Sequence, residues 1–333
     1  MKRYAWLPIF LLGSCAVVLC APFIGDRPIS WDALFRIRSN DPDAQIFWDI
    51  RLPRACLAWV AGAGLAAAGM AFQAMFRNAL ATPFTLGVAS GASFGAAIGV
   101  RLGIGAAFLG LSGVSVAAMA GALLAISIVY GLTRLKRDCS AGTMLLAGVA
   151  VNFFFSSLIL LIQYTGDVYD TFRILRWIMG GLHMIGFEAP LRALPFVAAG
   201  TVLLAAFVGE LNLLTVGEEL AASRGVAVGR TKTLVFLVVS AMVGVIVSIC
   251  GPIGFVGLMC PHICRLLVGP DHRRLLPATL LFGGAFLVVC DTIARTAFAP
   301  TELPVGIFTS LLGGPFFLWL LLKPRRDAAL SAG

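Results

Sequence analysis

Apolar runs of about 20 residues recur from one end of the chain to the other, separated by short segments that hold most of the charge. They lie at 5–24, 55–75, 84–103, 107–133, 142–164, 191–209, 231–250, 253–268, 275–296 and 304–322. About 20 helical residues cross roughly 30 Å of hydrocarbon, so each run reads as a transmembrane helix. Two have the least to spare: 84–103 is rich in Gly and Ala, and 253–268 is short. The pattern predicts an all-α polytopic membrane protein of about ten transmembrane helices. It forms a single domain over residues 1–333, with no room for a separate soluble unit.

Composition agrees. Of 333 residues 59% are hydrophobic and 12% charged, and the mean hydropathy is +0.96. A globular enzyme of this length carries about twice that charged fraction. The net charge of +9 could suggest nucleic acid, but its distribution points elsewhere. With the N-terminus inside, Lys2, Arg3, Arg77, Arg134, Lys136, Arg137, Arg224, Arg230, Lys232, Arg265, Arg273, Arg274, Lys323, Arg325 and Arg326 all fall on the cytoplasmic side. That asymmetry is the positive-inside pattern; it orients the chain, places both termini in the cytoplasm and requires no nucleic-acid partner.

Cysteine chemistry adds little. Cys15, Cys20, Cys56, Cys250, Cys260, Cys264 and Cys290 sit in or beside spans and Cys139 in a cytoplasmic loop, so they read as small packing residues rather than a disulfide framework. Leu12-Gly13-Ser14-Cys15 loosely imitates a lipoprotein cleavage box after Met1-Lys2-Arg3, but continuous hydrophobicity past Cys15 favours an uncleaved first helix. Cys260-Pro261-His262-Ile263-Cys264 fits no zinc spacing, so no metal site is expected. Gly225 to Thr233 lacks Lys directly after its second glycine and leads into a span, so no nucleotide is expected on this chain.

Polar residues inside the spans are few. Asp291 is the only clear intramembrane acid; at about 2.5–3.5 kcal/mol for insertion it needs a partner, and Arg295 one turn later can supply it. So sparse a set of ionisable groups weakens an ion-driven carrier. On 142–164, Asn152, Ser156 and Gln163 fall near one helix face, either as interhelical glue or as lining of a pathway. The loop 210–230 is charged and Gly-punctuated. There Thr215-Val216-Gly217-Glu218 reads as a capping box for a short helix starting near Gly217, a plausible dock for a soluble partner. Residues 251–277 hold two of the three histidines between apolar runs. Pro261, His262 and Arg265 read as the end of a short span, and Asp271, His272 and Arg273 as the turn after it.

Taken in order, these segments resemble the FecCD-type permeases, the membrane subunits of ABC importers for ferric siderophores, haem and cobalamin. Arg51-Leu52-Pro53-Arg54 matches that family's RLPR. Gly69, Gln73 and Arg77 to Pro83 match GxxxQxxxRNPLAxP, with Ala79 in place of the usual proline. Residues 210–226 are similar to ELNLLxLGEExAxxLGV, with Arg224 replacing Leu, and 251–277 follow the family block nearly throughout. Glu302-Leu303-Pro304-Val305-Gly306 completes the set.

The resemblance implies the permease of a type II ABC importer in the cell inner membrane, with an iron chelate as first cargo and cobalamin or haem as alternatives. It implies a non-catalytic chain with no cofactor of its own, ATP and Mg being held by two copies of a partner ATPase. A second permease copy or a paralogue would complete the pathway. Glu210, Leu214, Gly217, Glu218, Glu219, Ser223 and Gly225 would couple to the ATPase. Arg51, Arg54 and Arg295 would meet a periplasmic or lipoprotein binding protein.

Overall fold

The computed structural model describes residues 6–25, 27, 29–35, 41–105, 112–135, 141–182, 184–299 and 301–322. Both chain ends, Cys139 and the basic residues Lys2, Arg3, Lys136, Arg137, Lys323, Arg325 and Arg326 lie outside them. Among the described residues the elements are helical throughout. They are α1 (Trp6–Cys20), α2 (Pro42–Gln45), α3 (Leu52–Phe76), α4 (Val88–Arg101), α5 (Gly113–Leu135), α6 (Ala141–Thr165) and α7 (Val168–Ile178). There follow α8 (Glu188–Ala206), α9 (Val208–Val216), α10 (Glu218–Ser223), α11 (Val228–Cys250), α12 (Val256–Val268), α13 (His272–Thr296) and α14 (Val305–Leu322).

Among the described residues seven segments are long and apolar enough to cross a membrane: those of α1, α3, α5, α6, α8, α11 and α13. The other three expected spans are shorter helices. Run 84–103 resolves into a 3-10 turn, Pro83–Leu86, followed by the 14 residues of α4, and run 253–268 into the 13 residues of α12. Helix α7 lies between the expected spans 142–164 and 191–209. Its N-cap Asp167 accepts from Asp170 N at 2.7 Å, and its apolar face buries Ile174 against α4.

Helix α3 is the centre of the bundle. Most of its length is buried, and α8, α11, α12 and α13 pack around it. The sequence makes this possible by placing glycines where backbones meet: a Cβ on Gly62 would overlap the Gly283 carbonyl of α13, and one on Gly69 the Gly257 carbonyl of α12. Without a hydrophobic drive between helices in lipid, such small-residue seams let van der Waals contact hold them together. Gly69→Ala is therefore expected to destabilise the fold by at least the 1–3 kcal/mol or so typical of overpacking. A thermal midpoint in detergent unchanged from the native chain would show that the seam is not tight.

Candidate functional site

Two ends of the bundle and one break in its middle carry the polar and irregular features. At the first end the chain enters α3 through a π-helical turn, Ile46–Arg51, a wide turn often found at functional sites. It presents Arg51 and Arg54 inward, only 8% and 7% exposed. Arg54 holds Asp291 of α13 in a fork, Nε to Oδ2 and Nη2 to Oδ1, both at 2.9 Å. Its Nη1 donates to Glu302 Oε2 at 2.7 Å, and the Glu302 side chain remains 46% exposed. Arg51 donates instead to the carbonyls of Pro22 and Arg27, at 3.2 and 2.8 Å.

Asp291 thus takes a partner the sequence did not suggest. The expected Asp291–Arg295 pair is replaced by Arg54–Asp291, and Arg295 Nη2 donates to the Ala21 carbonyl after α1 at 2.6 Å. The cause is packing: the Gly62–Gly283 seam brings α3 against α13, so Arg54 reaches the buried Asp291, while Arg295 extends to the end of α1.

His272 lies 19 residues before Asp291, about 28 Å along α13, so the second polar cluster sits at the opposite end. There Asn212 of α9 clamps the start of α13. Its amide donates to Asp271 Oδ1 at 2.8 Å, and its Oδ1 accepts from His272 N at 2.9 Å and from His272 Nδ1 at 2.7 Å, an arrangement that places the ring proton on Nδ1. Asp271 is the N-cap, accepting from Arg273 N at 3.0 Å; that bond first, and Asn212 next, hold its carboxyl below the usual range. Asp271, His272 and Arg273 therefore begin a helix, where the sequence suggested a turn; the bend belongs to Gly269 and Pro270. Gln73 near the end of α3 joins the same end to α12, donating to the Leu258 carbonyl at 3.2 Å and accepting from Arg265 at 3.1 Å.

The 210–230 segment folds as α9, a hinge at Gly217, α10 and a glycine turn. The capping box does not form. Residues 208–216 are themselves helical, so Thr215 lies in the last turn of α9 and its hydroxyl bonds back to the Asn212 carbonyl at 2.7 Å. Of the residues expected to couple, Leu214 is fully buried and anchors α9, whereas Glu219 and Ser223 are exposed. Glu210 and Gly217 are half-buried, and Glu218 binds Lys232 of α11 at 2.6 Å. Lys232 is itself buried, its stem lying within the helix packing. Gly225, at φ +86°, turns the chain so that Val226 N can bond back to the Ala221 carbonyl at 3.0 Å.

Residues proposed from the sequence for a pathway separate. Asn152 spends its amide on the Phe84 and Thr85 carbonyls, at 3.0 and 3.3 Å, and accepts from Ser90 Oγ at 2.7 Å, tying α6 to the turn before α4. Ser156 faces outward on α6, and Gln163 is half-buried near its far end.

Sequence reading separates α11 from α12 but misses what lies at the break between them. Residues 251–255 leave helical form, and Gly181 N bonds to the Cys250 carbonyl at 2.8 Å and Gly306 N to that of Gly180 at 3.2 Å. Non-helical backbone at membrane depth survives only inside protein or against a cavity. Here it borders a cavity of about 480 Å³ whose wall includes Phe84, Met179, Pro252, Gly254, Gly306 and Ser310 and, among the described residues, no charged side chain. The Ser310 hydroxyl is already bonded to the Gly306 carbonyl at 2.8 Å. The sequence signal is the density of glycine and proline at 251–254, with a second pair at Gly180-Gly181.

Comparison with known proteins fits this arrangement. The sequence model of the FecCD transport family matches residues 11–323. An ABC transporter permease of Bacillus subtilis (strain 168), YvrB, is 43% identical over 293 residues, covering 87% of this chain and 82% of its own. The cobalamin import system permease BtuC of Halobacterium salinarum is 44% identical over 84% of this chain and 74% of its own. The hemin transport system permease HmuU of Yersinia pestis is 36% identical over 96% and 97%. Among solved structures, an inward-facing metal-chelate-type ABC transporter superimposes with a TM-score of 0.85 at 31% identity, covering 96% of this chain and 99% of that one. With the match running through the broken span and both polar ends, this chain belongs to the FecCD transport family, as an ABC importer permease.

Proposed function

We propose that this permease forms the transmembrane pathway of a binding-protein-dependent importer for a bulky metal chelate, ferric siderophore being the first cargo to test. The observation that supports this class is the charge-free cavity of about 480 Å³ at the break between α11 and α12. A large chelate passes where small and apolar groups meet it and no fixed charge retains it. Cobalamin is the second reading, favoured by the 44% identical relative named for its import.

In this reading two copies, or one copy and a paralogue, enclose the pathway in the cell inner membrane, with Ser156 and Gln163 of α6 toward it and Asn152 bracing the wall. The 210–230 segment faces the cytoplasm, where two ATPase subunits holding ATP and Mg press on α9 and α10. The binding protein meets the opposite end. Arg51 and Arg54 lie beneath that face, so they support it from below, while Glu302 and Arg27, which are more exposed, lie nearer the contact.

Proteoliposomes carrying the permease, its ATPase and its binding protein test this directly. One labelled chelate among ferric siderophore, haem and cobalamin should accumulate only with ATP and regardless of an imposed proton gradient. Accumulation that follows the gradient without ATP would mean an ion-driven carrier.

A further inference from the structure

A second cavity, of about 580 Å³, opens where α8 gives way to α9 beside the start of α13. Its two halves differ in chemistry. Leu276, Pro277 and Leu280 of α13, with Ala205 and Ala206 of α8, form an apolar wall, and Glu210 and Arg273 line the same space. The two charged side chains do not bridge to each other. A neighbouring cavity of about 630 Å³ shares Glu210 and Arg273 and adds Arg224.

The depth of these groups matches the layers of a bilayer. The apolar segment of α8 ends at Ala206 and that of α13 starts at His272, so Glu210 and Arg273 stand at the water boundary. Leu280 follows Arg273 by seven residues, about 10 Å deeper along the helix. An apolar wall running down from one carboxylate and nearby guanidinium groups is complementary to a lipid whose head carries a phosphate and a primary ammonium.

We infer that this groove binds a phosphatidylethanolamine molecule. Its phosphate sits on Arg273 with Arg224 nearby, its ammonium donates to Glu210, and one acyl chain lies along Leu276, Pro277 and Leu280. Guanidinium groups suit phosphate through paired N–H donors, the chemistry by which basic pockets between helices hold phosphate-bearing lipid heads. Asp271, the acid closest in sequence, is already engaged by Arg273 N and Asn212. Because Glu210 opens the segment that leads to α10, the lipid sets the height of α9 at the membrane surface. The inference needs only the membrane setting and holds whichever chelate is carried.

The full-length permease, purified in detergent and exposed to equal amounts of phosphatidylethanolamine, phosphatidylglycerol and phosphatidylcholine, can be read by native mass spectrometry. Phosphatidylethanolamine should be retained at least tenfold more than phosphatidylcholine. Arg273→Ser should lower that retention about tenfold, and Glu210→Gln should shift preference toward phosphatidylglycerol. Leu280→Trp, which fills the apolar half and leaves the charges in place, should also reduce it. Equal retention of the three lipids, or variants that bind phosphatidylethanolamine like the native chain, would overturn the assignment and leave the groove to a protein partner.

Discussion

Replacing Arg54 by Met is expected to cost about 3–5 kcal/mol of stability, the range seen when one partner of a buried ion pair is removed. The reason is what stays behind. Asp291 is 3% exposed and takes both of its short bonds from Arg54, so the variant leaves a buried carboxylate without its hydrogen-bonding cation where α3 meets α13. Glu302 loses its 2.7 Å bond as well, loosening the segment that leads into α14. Thermal unfolding in detergent measures the loss, and the double variant Arg54→Met with Asp291→Leu should recover most of it, because an apolar pair of similar volume needs no compensation. An Arg54→Met protein as stable as the native one would show that Asp291 is served by another group. Charge reversal at Arg54 is consequently a poor probe of docking, since it would damage the fold before any partner arrived. Glu302 offers a cleaner handle on that face.

In the importer proposed above, Glu218→Gln is expected to reduce substrate-stimulated ATP hydrolysis about tenfold. Helix α10 is only six residues long, too short to hold its shape or position unaided. Its first residue fixes it to the rest of the bundle through the 2.6 Å contact with Lys232, whose ammonium lies buried on α11. A hydrogen bond to a charged group contributes about 1.5–3 kcal/mol. Gln keeps an acceptor for the ammonium but removes the opposing charge; at about 1.4 kcal/mol per tenfold, a weakening near the low end of that range should deplete the docked arrangement of α10 by about an order of magnitude. Exchanging the charges, with Glu218→Lys and Lys232→Glu together, should restore part of the coupling if the contact matters as a tether. Full coupling in Glu218→Gln, with normal assembly, would assign α10 a position independent of this pair.

Much of the architecture was legible before any coordinates. The positions of the apolar runs, the weakness of 84–103 and 253–268, and the short helix after Gly217 all reflect neighbours within about 20 residues, where hydropathy and glycine placement decide the outcome. The misreadings have a common origin. Asp291 was matched with the arginine nearest in sequence, and its partner is 237 residues away. Thr215 was read as a cap because the helix before it was not anticipated. By sequence Asn152 suits packing and a pathway equally; in the fold its amide is bonded to the Phe84 and Thr85 carbonyls.

The sequence by itself determined that this chain is a polytopic helical membrane protein and which family it resembles, because hydropathy and ordered motifs are properties of the linear string. Only the tertiary structure decided which arginine neutralises Asp291, which residues hold α9 and α10 in place, and where the spans break around a charge-free cavity. Those outcomes depend on how closely α3 can approach α12 and α13. That distance is set by glycines meeting backbone to backbone although they lie far apart along the chain, Gly69 against Gly257 and Gly62 against Gly283.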